Sequence, residues 1–132
     1  AYATGIGDQL TSIDFDLAGW NLVLVKPRIH VSTREAYALV TPRASTENLL
    51  LSLARPIETW KDTVKNDFEV SVFQRYPEIA AIKQTLYDMG AVYASMSGSG
   101  ASVYGLFRNR EPEVDEVFRD CFVSSMRLRT FL

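Results

Sequence analysis

The stretch that most restricts the fold is AVYASMSGSGASVYGLF, residues 91–107, in which two apolar runs flank a glycine–serine loop. The expected strands are residues 91–94 and 102–107. A connection this short reverses the chain, so the two strands pair antiparallel. Ser97, Gly98, Ser99 and Gly100 leave a second use open for the same loop. Glycines accept positive φ and let a ligand approach the backbone, so successive N–H groups can face one concavity and hold an anion. Serine hydroxyls would add donors without bulk. The loop is not a Walker A element, because no Gly-Lys-Ser/Thr follows it and no helix begins directly after it. Read alone, it is as well explained by a plain hairpin.

The remaining elements fall on either side of this hairpin. Residues 20–25, WNLVLV, are β-branched and apolar between Gly19 and Pro27 and read as a strand. Ser32-Thr33-Arg34-Glu35 has a capping-box pattern ahead of Ala36, Tyr37, Leu39 and Val40, and Thr41-Pro42 stops that helix. From about residue 46 the chain turns helical, with Leu50 and Leu53 on one face. Pro56 then opens a segment in which Ile57, Trp60 and Val64 repeat at helical spacing. Asn66 is placed as an N-cap with Glu69 as its reciprocal partner. Pro77 opens a helix whose apolar face is Ile79, Ile82, Leu86 and Met89, closed by Gly90.

After a turn at residues 108–111, Val114, Val117, Phe118 and Cys121 form a last helical stripe. Residues 122–131 alternate as a final strand, Met126 and Leu128 facing one way and Arg127 and Arg129 the other. The order is strand, helices, strand, hairpin, strand, helix, strand. That is the βαββαβ order of an α+β, ferredoxin-like split βαβ domain with extra helices in its first crossover. The expectation is a four-stranded antiparallel sheet with helices on one face. Such a fold implies no function by itself.

Composition narrows the classes of function. The 132 residues fit one domain. Net charge is -2, from 14 Lys and Arg against 16 Asp and Glu, which gives no electrostatic grip on nucleic acid or anionic lipid. The apolar runs fall far short of the roughly 20 residues a membrane span needs. No signal peptide is visible. Cys121 is the single cysteine, which suits a reducing, cytoplasmic setting. Ala1-Tyr2-Ala3-Thr4 lacks an initiator Met and any capping or turn signal, so the sequence is expected to be a piece of a longer chain.

Other chemistry-bearing residues have ordinary structural explanations. Ser32 and Thr33 read as a helix cap, a position compatible with contact to an anion. His30 is the one histidine and has no second histidine or cysteine pair to make a metal site, so it reads as a partly buried loop residue. Asp67 and Glu69 read as first-turn carboxylates favoured by the helix dipole; two residues apart, they do not face each other. Cys121 reads as a small core residue, and Arg127 and Arg129 as a solvated face. No Ser-His-Asp or Cys-His arrangement emerges.

Four separated stretches carry a family resemblance: Gly5-Ile6-Gly7-Asp8, Lys26-Pro27-Arg28-Ile29-His30-Val31-Ser32-Thr33, Asn66-Asp67-Phe68-Glu69 and Met96-Ser97-Gly98-Ser99-Gly100-Ala101-Ser102. In this order they resemble the C-terminal half of the GHMP-type small-molecule kinases. The resemblance covers nearly the whole chain and fades after about Arg108. It implies transfer of the ATP γ-phosphate, with Mg²⁺, to a tertiary alcohol of a cytidyl substrate in isoprenoid biosynthesis. It also implies that the ATP-holding glycine loop, the catalytic aspartate and its lysine partner lie in an N-terminal half, leaving no catalytic residue in this chain.

By the same resemblance Ser97, Gly98, Ser99, Gly100 and Ala101 are the family's third motif, closing the phosphate side of the site. Ser32 and Thr33 match its Val-Ser-Thr segment at the border of the cleft. Arg28 departs from the family, where an acidic residue often follows the Lys-Pro pair. The domain would pack against its own N-terminal domain, bind a small-molecule substrate there, show an apolar patch when alone, and be inactive by itself. Two alternatives stay open. One is a GHMP kinase acting on mevalonate- or homoserine-type substrates. The other is a stand-alone ferredoxin-like module that binds a small anion.

Overall fold

The computed structural model describes residues 1–41, 48–108 and 112–129. A two-stranded hairpin of β1 (Tyr2–Thr4) and β2 (Gln9–Thr11) precedes the main sheet. The sheet is built from β3 (Asn21–Lys26), β4 (Tyr93–Met96), β5 (Val103–Phe107) and β6 (Phe122–Arg127). Its order is β4-β5-β3-β6, with every neighbouring pair antiparallel. This is the strand order expected of the split βαβ fold. Between β3 and β4 lie α1 (Thr33–Leu39), α2 (Leu49–Leu53), a 3-10 turn (Ile57–Thr59), α3 (Trp60–Thr63), α4 (Phe68–Arg75) and α5 (Pro77–Asp88).

Alternation along the strands divides the interior into two clusters, one on each face of the sheet. Val23, Val25, Ala94, Met96, Val103 and Phe107 face α1, α4 and α5, which contribute Ala36, Val72, Ile79, Ile82 and Leu86. Tyr93 and Leu106 point the other way and are covered by Trp60, with Leu53, Ile57 and Val64 packed around them. The main helices thus lie on one face, and the inserted α2–α3 segment closes over the opposite one. Trp60 meets Tyr93 edge-on at 5.5 Å and stacks with Phe15 at 5.3 Å. The three-residue spacing of Ile57 and Trp60, with Val64 one turn later, is the helical repeat legible in the sequence.

Several boundaries differ from expectation. The first strand begins at Asn21 rather than Trp20. The strand expected at residues 91–94 is Tyr93–Met96, because Gly90 (φ 97) and the Leu86 carbonyl, which accepts the Ala91 N–H, hold the chain against the end of α5. Residues 114–121 form a single helical turn rather than a helix. The Phe118 N–H donates to the Val114 carbonyl and the Cys121 N–H to the Phe118 carbonyl, while Val117 is 52% exposed. So short a segment gains too few hydrogen bonds to offset helix nucleation. Its buried residues, Val114 and Phe118, tie it to the main core, and Cys121 is half-buried beside them as expected of a small core residue.

The hairpin β1–β2 was not expected, since its strands are three residues long and mostly exposed. Its signal was the turn sequence: Gly5 (φ 67) and Gly7 (φ 91) take backbone conformations that other residues resist. Asp8 Oδ1 accepts the Ile6 N–H inside that turn. Pro42, the start of the helical stretch at residue 46, the end of the turn at 108–111 and the last residues of the 122–131 run lie outside the described residues. No helix among the described residues is long and apolar enough to cross a membrane.

Leu86 is fully buried between α5 and the sheet, whereas Val117 is half-exposed. Leu86→Ala should therefore lower unfolding free energy by about 2–5 kcal/mol in a urea titration. Val117→Ala should change it by less than about 0.5 kcal/mol. Burial raises the Tyr93, Tyr104 and Tyr87 phenols above their ordinary value of 10.0. The unfolded chain therefore loses these protons first. Stability should be fully kept below pH 10.0 with respect to these groups and decline as the pH is raised beyond it, read as a falling urea midpoint.

Candidate functional site

The glycine loop joins β4 to β5 at one end of the sheet. The Ser97 N–H donates to the Ser102 carbonyl at 2.8 Å, and the Gly100 N–H to the Ser97 carbonyl at 3.0 Å, which closes the turn. Gly98 (φ 55) and Gly100 (φ 90) both lie in the left-handed region. At Gly100 a side chain is excluded twice over, because a Cβ there would lie 2.8 Å from Met96 Sδ. Ser97 and Gly98 are exposed, Ser99 and Gly100 half-buried, and Ala101 buried.

The residue that anchors this loop is Met96, the last residue of β4. Since β4 is an edge strand, alternate backbone groups face outward with no neighbouring strand to meet them. Side chains from the helices supply the partners. Glu69 Oε1 accepts the Met96 N–H at 2.8 Å and the Ser95 hydroxyl at 3.2 Å. Asn66 Nδ2 donates to the Met96 carbonyl and to the Gly98 carbonyl, each at 2.8 Å. Asn66 Oδ1 accepts the Phe68 N–H at 3.0 Å, so the whole carboxamide is engaged. Tyr87 completes the row by donating its phenol to the Ala94 carbonyl at 3.2 Å. Glu69 Oε2 holds Lys83 Nζ of α5 at 2.6 Å, with the Glu69 side chain only 12% exposed.

Two readings of the sequence change here. Asn66 does accept from the first turn of α4, as an N-cap would, but Glu69 does not return to it. The Glu69 carboxylate turns forward to the strand and to Lys83 instead. Likewise Ser32 occupies the N-cap position of α1 without a side-chain capping bond, and Glu35 accepts the Tyr76 hydroxyl rather than closing a capping box. The N-cap position of α4 falls on Asp67 rather than Asn66; Asp67 is exposed and its side chain makes no capping bond, so it is not a first-turn residue.

Of the residues singled out from sequence, Thr33 and Ser99 come together, with hydroxyl oxygens 3.4 Å apart. The start of α1, the start of α4 and the glycine loop therefore share one rim. A cleft of about 420 Å³ opens beside it, lined by Lys65, Asn66, Phe68, Tyr93, Ser97 and Gly98 among others. The Tyr93 phenol donates to the Val64 carbonyl at 3.0 Å, and burial raises its pKa above the ordinary tyrosine value. Among the described residues, the Gly98 and Ser99 N–H groups have no acceptor. Free N–H groups, small hydroxyls and no lining carboxylate make a rim suited to anionic oxygens.

His30 lies in the connection after β3 and is exposed, not partly buried. Arg127 and Arg129 are exposed at the far end of β6 and beyond it. Arg28 and Lys26 border a separate groove with Phe122, away from the loop. Asn66 and Glu69 are the site residues that local rules misjudged. Their types fitted a helix start, and nothing in the spacing pointed across to β4.

With this geometry in place, the class of domain is identifiable. Residues 46–122 match the family described as GHMP kinases C terminal, and the chain belongs to that family. Its relatives include the 4-diphosphocytidyl-2-C-methyl-D-erythritol kinases of Parabacteroides distasonis and Bacteroides fragilis. The first is 48% identical over 92% of this chain and 45% of its own length. The second is 44% identical over 97% of this chain and 47% of its own length. The chain thus spans a little under half the length of these curated relatives. A crystal structure of 4-(cytidine 5'-diphospho)-2C-methyl-D-erythritol kinase shares the fold with a TM-score of 0.71 at 22% identity, over 92% of this chain and 47% of that one. Homoserine kinase from Cytophaga hutchinsonii shares it with a TM-score of 0.60 at 16% identity, over 83% and 41%.

The two loop glycines should respond unequally to alanine. Gly98 has open space around its absent side chain, so Gly98→Ala should cost about 1–2 kcal/mol from backbone conformation alone. Gly100→Ala adds the contact with Met96 and should cost more in the same urea titration.

Proposed function

We propose that this chain is a single C-terminal domain of an ATP-dependent kinase that phosphorylates 4-diphosphocytidyl-2-C-methyl-D-erythritol on its tertiary hydroxyl. The observation that carries the reading is the extent of similarity: relatives bearing that name match 92% and 97% of the chain at 48% and 44% identity. The likeness to homoserine kinase rests on fold and does not compete with it.

Within this reading Ser97, Gly98, Ser99, Gly100 and Ala101 close the phosphate side of the cleft, and Ser32 and Thr33 border it. The loop offers N–H and O–H donors where charge builds on the transferred group, the kind of fixed electrostatic support that phosphoryl transfer depends on. ATP itself, the base and the nucleotide loop belong to an N-terminal half. Mg²⁺ is held mainly there too, by one or two carboxylates together with the phosphates of ATP. When bound, Mg²⁺ would neutralise charge on the transferring phosphate.

The surface agrees with a domain meant to be covered. Ile6 is 97% exposed and Leu10 70%, while Tyr37, Leu39, Leu49, Leu50 and Leu51 are also exposed. Positioning from both halves is needed for turnover, so the domain alone has none.

The test measures ADP release with 4-diphosphocytidyl-2-C-methyl-D-erythritol, ATP and Mg²⁺, for the full-length protein that carries this segment and for the 132-residue chain. Turnover by the full-length protein and none by the segment is expected. A full-length protein that ignores this substrate but phosphorylates homoserine or mevalonate would overturn the substrate. Turnover by the segment alone would overturn the division of labour.

A further inference from the structure

The grip of Asn66 on the glycine loop has a geometric consequence. In a trans peptide the carbonyl and the following N–H point in opposite directions. The Gly98–Ser99 peptide is trans. With its carbonyl oxygen held at 2.8 Å by Asn66 Nδ2, the Ser99 N–H is turned away from Asn66. The same logic holds at Met96–Ser97, where the Asn66-bound carbonyl leaves the Ser97 N–H to close the turn onto Ser102. One carboxamide thus fixes two alternate peptide orientations, Met96–Ser97 and Gly98–Ser99. Rotating it by half a turn would set its oxygen against two carbonyl oxygens, so one orientation alone satisfies the set.

We propose that Asn66 is a positioning residue that aims the Ser99 N–H at a phosphate oxygen, with Glu69 and Lys83 holding the Met96 end of the same strand in register. This rests on the kinase reading above and adds to it a specific backbone donor and the side chain that orients it. Neither glycine can fix its own peptide planes, because glycine resists few backbone conformations. Without Asn66 the Gly98–Ser99 peptide is free to rotate and its N–H no longer faces a constant direction.

The experiment compares Asn66→Ala, Asn66→Asp and Glu69→Gln with the wild type in the full-length protein. Asn66→Ala should reduce kcat roughly 10–100-fold, as displaced positioning groups do, with the KM for the alcohol substrate nearly unchanged. Asn66→Asp carries the discriminating readout. An ionised carboxylate repels both carbonyl oxygens, whereas a protonated one can donate to one of them. The two facing carbonyl oxygens disfavour the ionised form and lift the carboxyl above its ordinary pKa of about 3.9. Its kcat relative to wild type should therefore rise as the pH is lowered from about 7 to about 5, while that of Asn66→Ala stays flat. A loss of kcat in Asn66→Asp that ignores pH, or a wild-type kcat in Asn66→Ala, would overturn the proposal.

A second readout stands apart from activity. In ¹⁵N–¹H spectra the Gly98 and Ser99 amides should move in Asn66→Ala while those of Val23 and Leu86 stay in place, and Glu69→Gln should displace the Met96 amide. If the wild type proves inactive with every substrate, the kinase reading falls and the spectra alone decide the role of Asn66. Unmoved loop amides in Asn66→Ala would remove that role whatever the activity.

Discussion

Met96 is held on every side, and the site depends on that constraint. Its N–H is taken by Glu69, its carbonyl by Asn66, and its side chain fills the space beneath Gly100. Each hydrogen bond is modest in net free energy, about 1 kcal/mol, but an orphaned partner at this depth would cost more. The Glu69 carboxylate is shielded enough for its charge to need Lys83, which in turn locks α5 to α4. A single residue at the end of an edge strand therefore joins two helices, a strand and the loop.

Much of the architecture was legible because its signals are local or periodic. Pro77 at the first turn, the buried spacing of Ile79, Ile82 and Leu86, and Gly90 beyond the end specify α5 without help from the rest of the chain. The apolar, β-branched runs marked β3 and β5, and the short glycine connection set the antiparallel direction of β4 and β5. Cys121 and the two arginines at the end of β6 needed nothing beyond burial arguments.

The failures share one cause, which is competition from partners distant in sequence. Ser32 and Glu35 have the right types and spacing for a capping box, yet Glu35 finds Arg75 at the end of α4 and Tyr76 just beyond it instead. Glu69 likewise leaves the helix start it was matched to and finds β4. Capping statistics describe what a carboxylate does when nothing better approaches, and an unpaired strand edge is a stronger claimant. Of the candidate site, the loop and Thr33 could be named from sequence, while their anchor could be flagged only as part of a family pattern. The contact between Thr33 and Ser99 spans 66 residues and has no local signature.

The loop's anchors lie 27, 30 and 32 residues away along the chain. A plain hairpin can close on its own within microseconds, but this one acquires its final geometry only when α4 docks. Its shape is thus a tertiary property and not a local one. Thermodynamic linkage then works in both directions: a ligand that favours the ordered loop also stabilises the docked helix, in proportion to its concentration over its dissociation constant. Occupancy of the cleft beside the loop and cohesion of the domain are, on this account, two readings of one equilibrium.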